Sequence, residues 1–137
     1  MTVENLGAYV DPPASDSLLV VHQPGWNCAL SVRFLACLPR TIPVHHFGDL
    51  DPEGLQIYEH MRTASGRDIG LFVPACWGDY LHSHGRVLES PWPSEQRGNV
   101  SIPLLDELMA AQRWLEQEAV LADPRLVGEL EALAVRE

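Results

Sequence analysis

Lysine is absent from this chain: all nine basic residues among its 137 are arginine, set against 19 acidic ones. That absence excludes the chemistries that need a phosphate-gripping or Schiff-base lysine: P-loop transfer, imine catalysis and phosphatases of the haloacid-dehalogenase type. The resulting net charge of −10 is the opposite of the basic footprint of an autonomous nucleic-acid binder. Cysteine is scarce as well. Cys28, Cys37 and Cys76 are an odd number without CxxC spacing, which indicates neither a disulfide framework nor a zinc knuckle. No apolar run approaches the roughly 20 residues needed to cross a bilayer, and the N-terminus lacks the sections of a signal peptide. The expectation is one soluble, cytoplasmic domain over residues 1–137, since the length allows a single core. Strand-like sequence at residue 1 further suggests the C-terminal part of a longer parent.

What is present alternates strand and helix. Residues 1–4 read as the tail of a strand, and 11–16, with two prolines and two aspartates, as a loop. Residues 17–21 are a continuous branched apolar run, the pattern of a strand buried on both faces. Apolar residues from Asn27 to Leu38 recur at helical spacing, and Pro39 closes a helix expected to be mostly buried. Residues 42–47 and 69–73 give two further strands. Between them Asp51-Pro52 supplies an N-cap and first-turn proline, with Leu55, Ile57, Tyr58 and Met61 on the apolar face. This order predicts an α/β fold, a mostly parallel sheet flanked by helices, with a core of about residues 1–84. A connecting segment, 85–102, has Trp92 as a candidate anchor. Two C-terminal helices follow, one over about 103–122 and one after Asp123-Pro124.

Asp49 and Asp51 stand two apart just past a strand end, where open α/β sheets bind their ligands. Two carboxylates this close repel, and a hard divalent cation relieves the repulsion while accepting oxygen ligands. Aspartate is also common at helix N-caps and turns, so a lone DxD reads equally well as a cap. His45 and His46 precede the pair on a strand whose alternation lets only one of them approach a metal there. His82-Ser83-His84 lacks a third ligand at regular spacing.

Taken together, Val3-Glu4-Asn5-Leu6 and Phe47-Gly48-Asp49-Leu50-Asp51-Pro52-Glu53-Gly54 resemble the Toprim pattern, in which a strand-end glutamate and a later DxD hold Mg²⁺ in topoisomerases, primases and several nucleases. With the late Trp114-Leu115-Glu116-Gln117-Glu118, the chain most resembles the C-terminal domain of JetD, the nuclease subunit of the Wadjet plasmid-defence systems, itself similar to the Toprim part of the topoisomerase VI A subunit. The resemblance implies that Glu4, Asp49 and Asp51 are catalytic. Glu4 would serve as metal ligand or general base, Asp49 and Asp51 as ligands, and Glu53 would lie within reach of a second ion. It implies Mg²⁺ or Mn²⁺ as cofactor and hydrolysis of DNA phosphodiesters. No tyrosine stands where a transesterification nucleophile is expected. It also implies DNA held through upstream regions, and partners among the subunits of a condensin-like complex.

The chain departs from that pattern in having no basic stripe. A rival expectation from another class is therefore a non-catalytic Toprim-like interaction module split from its parent, forming a homodimer through the C-terminal helices. A phosphatase or nucleotide hydrolase on the same acidic site is disfavoured by the missing lysine.

Overall fold

The computed structural model describes residues 1–10, 16–88 and 103–135. Four short strands, β1 (Thr2–Val3), β2 (Val21–His22), β3 (Val44–Phe47) and β4 (Ile69–Leu71), form one parallel sheet in the order β2-β1-β3-β4. The connections are helical: α1 (Leu6–Val10), α2 (Ala29–Cys37) and α3 (Pro52–Ser65). After β4 come α4 (Trp77–Ser83), β5 (Arg86–Val87), α5 (Pro103–Ala111), β6 (Arg113–Trp114) and, beyond a 3₁₀ turn at Gln117–Ala119, α6 (Pro124–Val135). The α/β, parallel-sheet architecture expected from the sequence is the one observed. The Trp92 anchor falls outside the described residues.

Strand alternation sorts the side chains into two layers. Val3 and Phe47 face a larger core with Leu50, Leu55, Tyr80, Leu105, Leu108, Leu115 and Leu126. Val44 faces a smaller one made with Cys28, Leu35, Met61 and Ile69, beneath α2 and α3. At the foot of this second layer the buried Arg67 guanidinium donates to three carbonyls, Leu38 O at 2.9 Å, Pro39 O at 3.0 Å and Ile42 O at 2.6 Å. A single side chain thereby satisfies the turn between α2 and β3, whose carbonyls have no helical partner.

Three expectations are corrected. The run 17–21 is not a strand buried on both faces: only Val21–His22 pair, at the sheet edge, and Leu19 is 61% exposed. An edge strand has a neighbour on one side only, so its apolar run cannot be covered as a central strand is. Helix α2 buries only Ser31 and Leu35, leaving Leu30 80% exposed. The helix expected over 103–122 ends at Ala111, where Gln112 takes a left-handed conformation (φ 51°) and turns the chain into β6. Beyond β6, Leu50 and Leu115 exchange both backbone hydrogen bonds, N to O at 2.9 and 3.2 Å. Tertiary pairing with the loop after β3 has overridden helical periodicity.

Candidate functional site

In the order β2-β1-β3-β4 the chain leaves β1 toward one edge and β3 toward the other, so the crevice between their C-terminal ends is the topological switch point. Glu4 leaves β1 there and Asp49 leaves β3. Glu4 N donates to Phe47 O at 3.2 Å, and Glu4 Oε2 lies 3.5 Å from Asp49 N. Gly48 makes this approach possible: a Cβ on it would stand 2.7 Å from both Glu4 Oε2 and His46 Nε2. Alternation puts residues 44, 46 and 48 on one face, and only a residue without a side chain leaves Glu4 room to lie across the strand end.

Asp51 is the N-cap of α3, its Oδ1 accepting from Gly54 N at 2.7 Å, with Pro52 in the first turn. Asp49 Oδ1 accepts from Gln117 N at 2.6 Å. Glu53, in the first turn of α3, accepts at Oε1 from Trp26 Nε1 at 2.9 Å. Each aspartate thus spends one oxygen on the backbone and has a second.

The electrostatics are those of crowded anions. Burial pushes the Glu4 carboxyl up to about 7; repulsion from Asp49, Asp51 and Glu53 adds to this, and the hydrogen bond from Asp49 N opposes it. Burial likewise raises Asp49 and Asp51 above the ordinary carboxylate range, against the hydrogen bonds from Gln117 N and Gly54 N. His46 is 1% exposed, and burial holds its ring down to about 4, hence neutral. Its Nδ1 shares a 3.0 Å hydrogen bond with Thr2 Oγ1, its ring stacks on Tyr58, and its Nε2 is buried without a hydrogen-bond partner. Of the histidine pair, His46 is therefore the one that reaches the Glu4 side of Gly48.

The segment after β6, expected as helix, closes the site from above. The Gln117 side chain, 1% exposed, accepts from Asn5 N at 2.7 Å and donates to Phe47 O at 3.1 Å. With the bond from its own N–H to Asp49, it ties together the ends of β1 and β3 and the first aspartate of the pair. Glu118 Oε2 accepts from Asn5 Nδ2 at 2.7 Å, and Glu116 pairs with Arg86 at 2.7 Å. With α5 ending at Ala111, Glu116 and Glu118 flank Gln117 outside the expected helix, and both add to the field on Asp49. Gln117 and Asn5 are site residues that sequence reasoning missed. Gln117 is a neutral amide between two carboxylates, and nothing in the local pattern marks it, because its partners Asn5 and Phe47 are far away in sequence.

A divalent cation is tested by the donors present. Carboxylate oxygens alone suit Mg²⁺ or Mn²⁺, which take one or two protein carboxylates and keep several waters. Like charges held close in a partly buried crevice gain from such an ion. Among the described residues, no three His, Cys, Asp or Glu side chains stand in the arrangement of a ready-made metal cage. The donor set thus fits a hydrated hard ion on few direct ligands, and Asp49 and Asp51 already have one oxygen each fixed by the backbone.

Among the described residues no helix is long and apolar enough to cross a membrane. No curated protein matches the chain. The family described as Wadjet protein JetD, C-terminal, matches residues 1–72, which run from β1 through β4 and include Glu4, Asp49, Asp51 and Glu53. That match spans more than half of the sequence, and the chain belongs to the JetD C-terminal family.

Proposed function

We propose that this chain is the Toprim-like, Mg²⁺- or Mn²⁺-dependent domain of a Wadjet nuclease that hydrolyses DNA phosphodiester bonds, acting with DNA-binding regions outside this sequence and with other Wadjet components. The observation that carries the reading is the convergence of Glu4 with Asp49 at the switch point, where burial and anionic neighbours raise both carboxyls. Asp49 and Asp51 would hold the ion, with Glu53 near enough to assist a second. Such an ion supplies charge stabilisation at a scissile phosphate and a lowered pKa for water. The chain's own residues supply position: Gln117 fixes the Asp49 carboxylate, Gly48 admits Glu4, and Glu4, with its carboxyl near 7 in the metal-free protein, can take or return a proton near neutrality.

A second reading, the interaction module, is favoured by the net charge of −10 and by exposed Leu19, Leu30, Phe34 and Ile42. The test is thermal unfolding with and without millimolar Mg²⁺ or Mn²⁺, on wild type and on Asp49→Asn/Asp51→Asn. The amide variants keep both backbone hydrogen bonds, including the α3 cap, which tolerates Asn as well as Asp. An ion at 100 times its Kd stabilises by about 2.7 kcal/mol, several degrees in Tm. A rise that vanishes in the double variant supports the metal site and warrants plasmid-cleavage assays with upstream regions present. No rise in the wild type favours the interaction module.

A further inference from the structure

Next to the carboxylates is a cleft of about 430 Å³ whose lining, among the described residues, includes Trp26, Trp114, Leu88, Gln56 and the turn from Asp51 to Glu53. Its volume lies within the roughly 300–1,000 Å³ of small-molecule sites. Trp26, in the loop between β2 and α2, is 50% exposed, an unusual position for an indole that could have been buried. It is nonetheless held: its Nε1 donates to Glu53 Oε1 at 2.9 Å, and its ring packs against His60 at 5.9 Å. Trp114 comes from β6, far away in sequence. The Arg86 guanidinium lies 5.3 Å from its ring centroid and is anchored in turn by Glu116 at 2.7 Å. Two indoles from separate elements thus line one open cleft together with two of the acidic residues discussed above, Asp51 and Glu53.

We propose that this cleft is a stacking subsite for a single nucleobase from an unpaired or locally opened strand, with Trp26 as the exposed platform and Trp114 as a second aromatic wall. Every base has a flat π-face, so indole stacking is sequence-tolerant and needs no basic surface. That suits a cleft lined by Asp51 and Glu53. The Gln56 amide can both donate to and accept from a base edge. The placement of the attached phosphate toward the carboxylates rests on the nuclease reading; the stacking itself does not.

The test uses ¹⁵N-labelled full chain and the indole N–H signals of Trp26 and Trp114, assigned by substitution. The first probe is adenosine, which carries no phosphate and needs no ion, with ribose as the control. Adenosine in metal-free buffer is expected to shift both indole signals saturably, and ribose to shift neither. Trp26→Ala, a change in a half-exposed loop residue, is expected to weaken the Trp114 response about tenfold or more while leaving signals remote from the cleft in place. Tetrathymidylate with Mg²⁺ is expected to perturb the same two signals. The proposal is overturned if adenosine leaves both indoles unmoved, if ribose does as well as adenosine, or if Trp26→Ala responds like wild type. A metal-free adenosine response alongside no metal-induced rise in Tm would sink the nuclease reading and leave the subsite standing; the converse would do the reverse.

Discussion

Replacing Gln117 by leucine keeps the volume of a fully buried side chain and removes two hydrogen bonds, the one it accepts from Asn5 N and the one it donates to Phe47 O. Both partners are backbone groups at the ends of adjacent strands; Asn5 N is left without its bond, while Phe47 O keeps the one it accepts from Glu4 N. Stranding the Asn5 N–H costs about 1–3 kcal/mol, losing the second bond to Phe47 O costs about 1 more, and the added apolar surface returns about 1, so the net loss is about 1–3 kcal/mol. Urea unfolding at pH 7 is the assay, read as a fall in midpoint with the slope unchanged. The same substitution loosens Glu4 and Asp49, so the Mg²⁺-induced rise in stability should shrink in parallel even though the bond from the Gln117 backbone to Asp49 survives. Gln117→Glu separates the two contacts: it keeps an acceptor for Asn5 N, loses the donor to Phe47 O and buries a charge among carboxylates, so it should be the worse variant. A Gln117→Leu protein that loses less than about 1 kcal/mol, within the ordinary scatter of surface substitutions, would refute the idea that this side chain ties the strand ends together.

Other expectations follow from the same geometry. His46, held near 4 against about 6.5 unfolded, resists protonation in the native state, so its contribution is present above pH 6.5 and lost as pH falls toward 4, up to about 3 kcal/mol. Stability curves between those pH values should flatten in His46→Gln, and an unchanged slope would count against the assignment. Glu4 has the opposite sign: with its carboxyl raised from 4.5 to about 7, stability present below pH 4.5 is lost as pH rises through 7. At pH 8 without metal, Glu4→Gln should therefore be more stable than wild type by about 1–2 kcal/mol after allowance for solvent screening, and less responsive to Mg²⁺; chemical denaturation with and without the ion decides. Gly48→Ala drives a methyl into Glu4 Oε2 and His46 Nε2, at a cost of about 1–3 kcal/mol, and should abolish the metal response more completely than it lowers Tm. Arg67→Met removes three hydrogen bonds, leaving Leu38 O and Ile42 O without a donor while Pro39 O keeps Ile42 N, and should cost about 2–4 kcal/mol in thermal unfolding, with the metal response intact because the turn is remote from the carboxylates.

The parts of the site written locally were readable from residues alone. Asp51-Pro52 is both a helix start and half of a DxD, and the cap bond to Gly54 realises the first of those roles directly. Strand parity sends His45 and His46 to opposite faces of the sheet, and it is His46 whose ring lies against Gly48. Other features were not local. Leu104, Leu105, Leu108, Ala111, Trp114 and Leu115 repeat as a helix would, and nothing at Gln112 marks the break; what ends the helix is a ladder with Leu50, a partner 65 positions away in the chain. The edge position of β2 depends on sheet order, which an apolar run does not encode. The start of the short helix α1 is marked locally, since Asn5 Oδ1 accepts from Gly7 N at 2.7 Å in the manner of a cap.

The tether from Asn5 N to Gln117 spans 112 positions, and this has a consequence for synthesis. Domains are completed from the N-terminus at a rate of about 5–20 residues per second, so a nascent chain carries Glu4 and the Asp49–Asp51 turn for several seconds before the residue that joins them leaves the ribosome. During that interval the strand ends lack their shared clamp and the acidic crevice is unassembled. A product that stopped before Gln117 would lack the bonds that join the ends of β1 and β3 to the Asp49 turn. The clamp thus forms last, after every strand it joins has already been made.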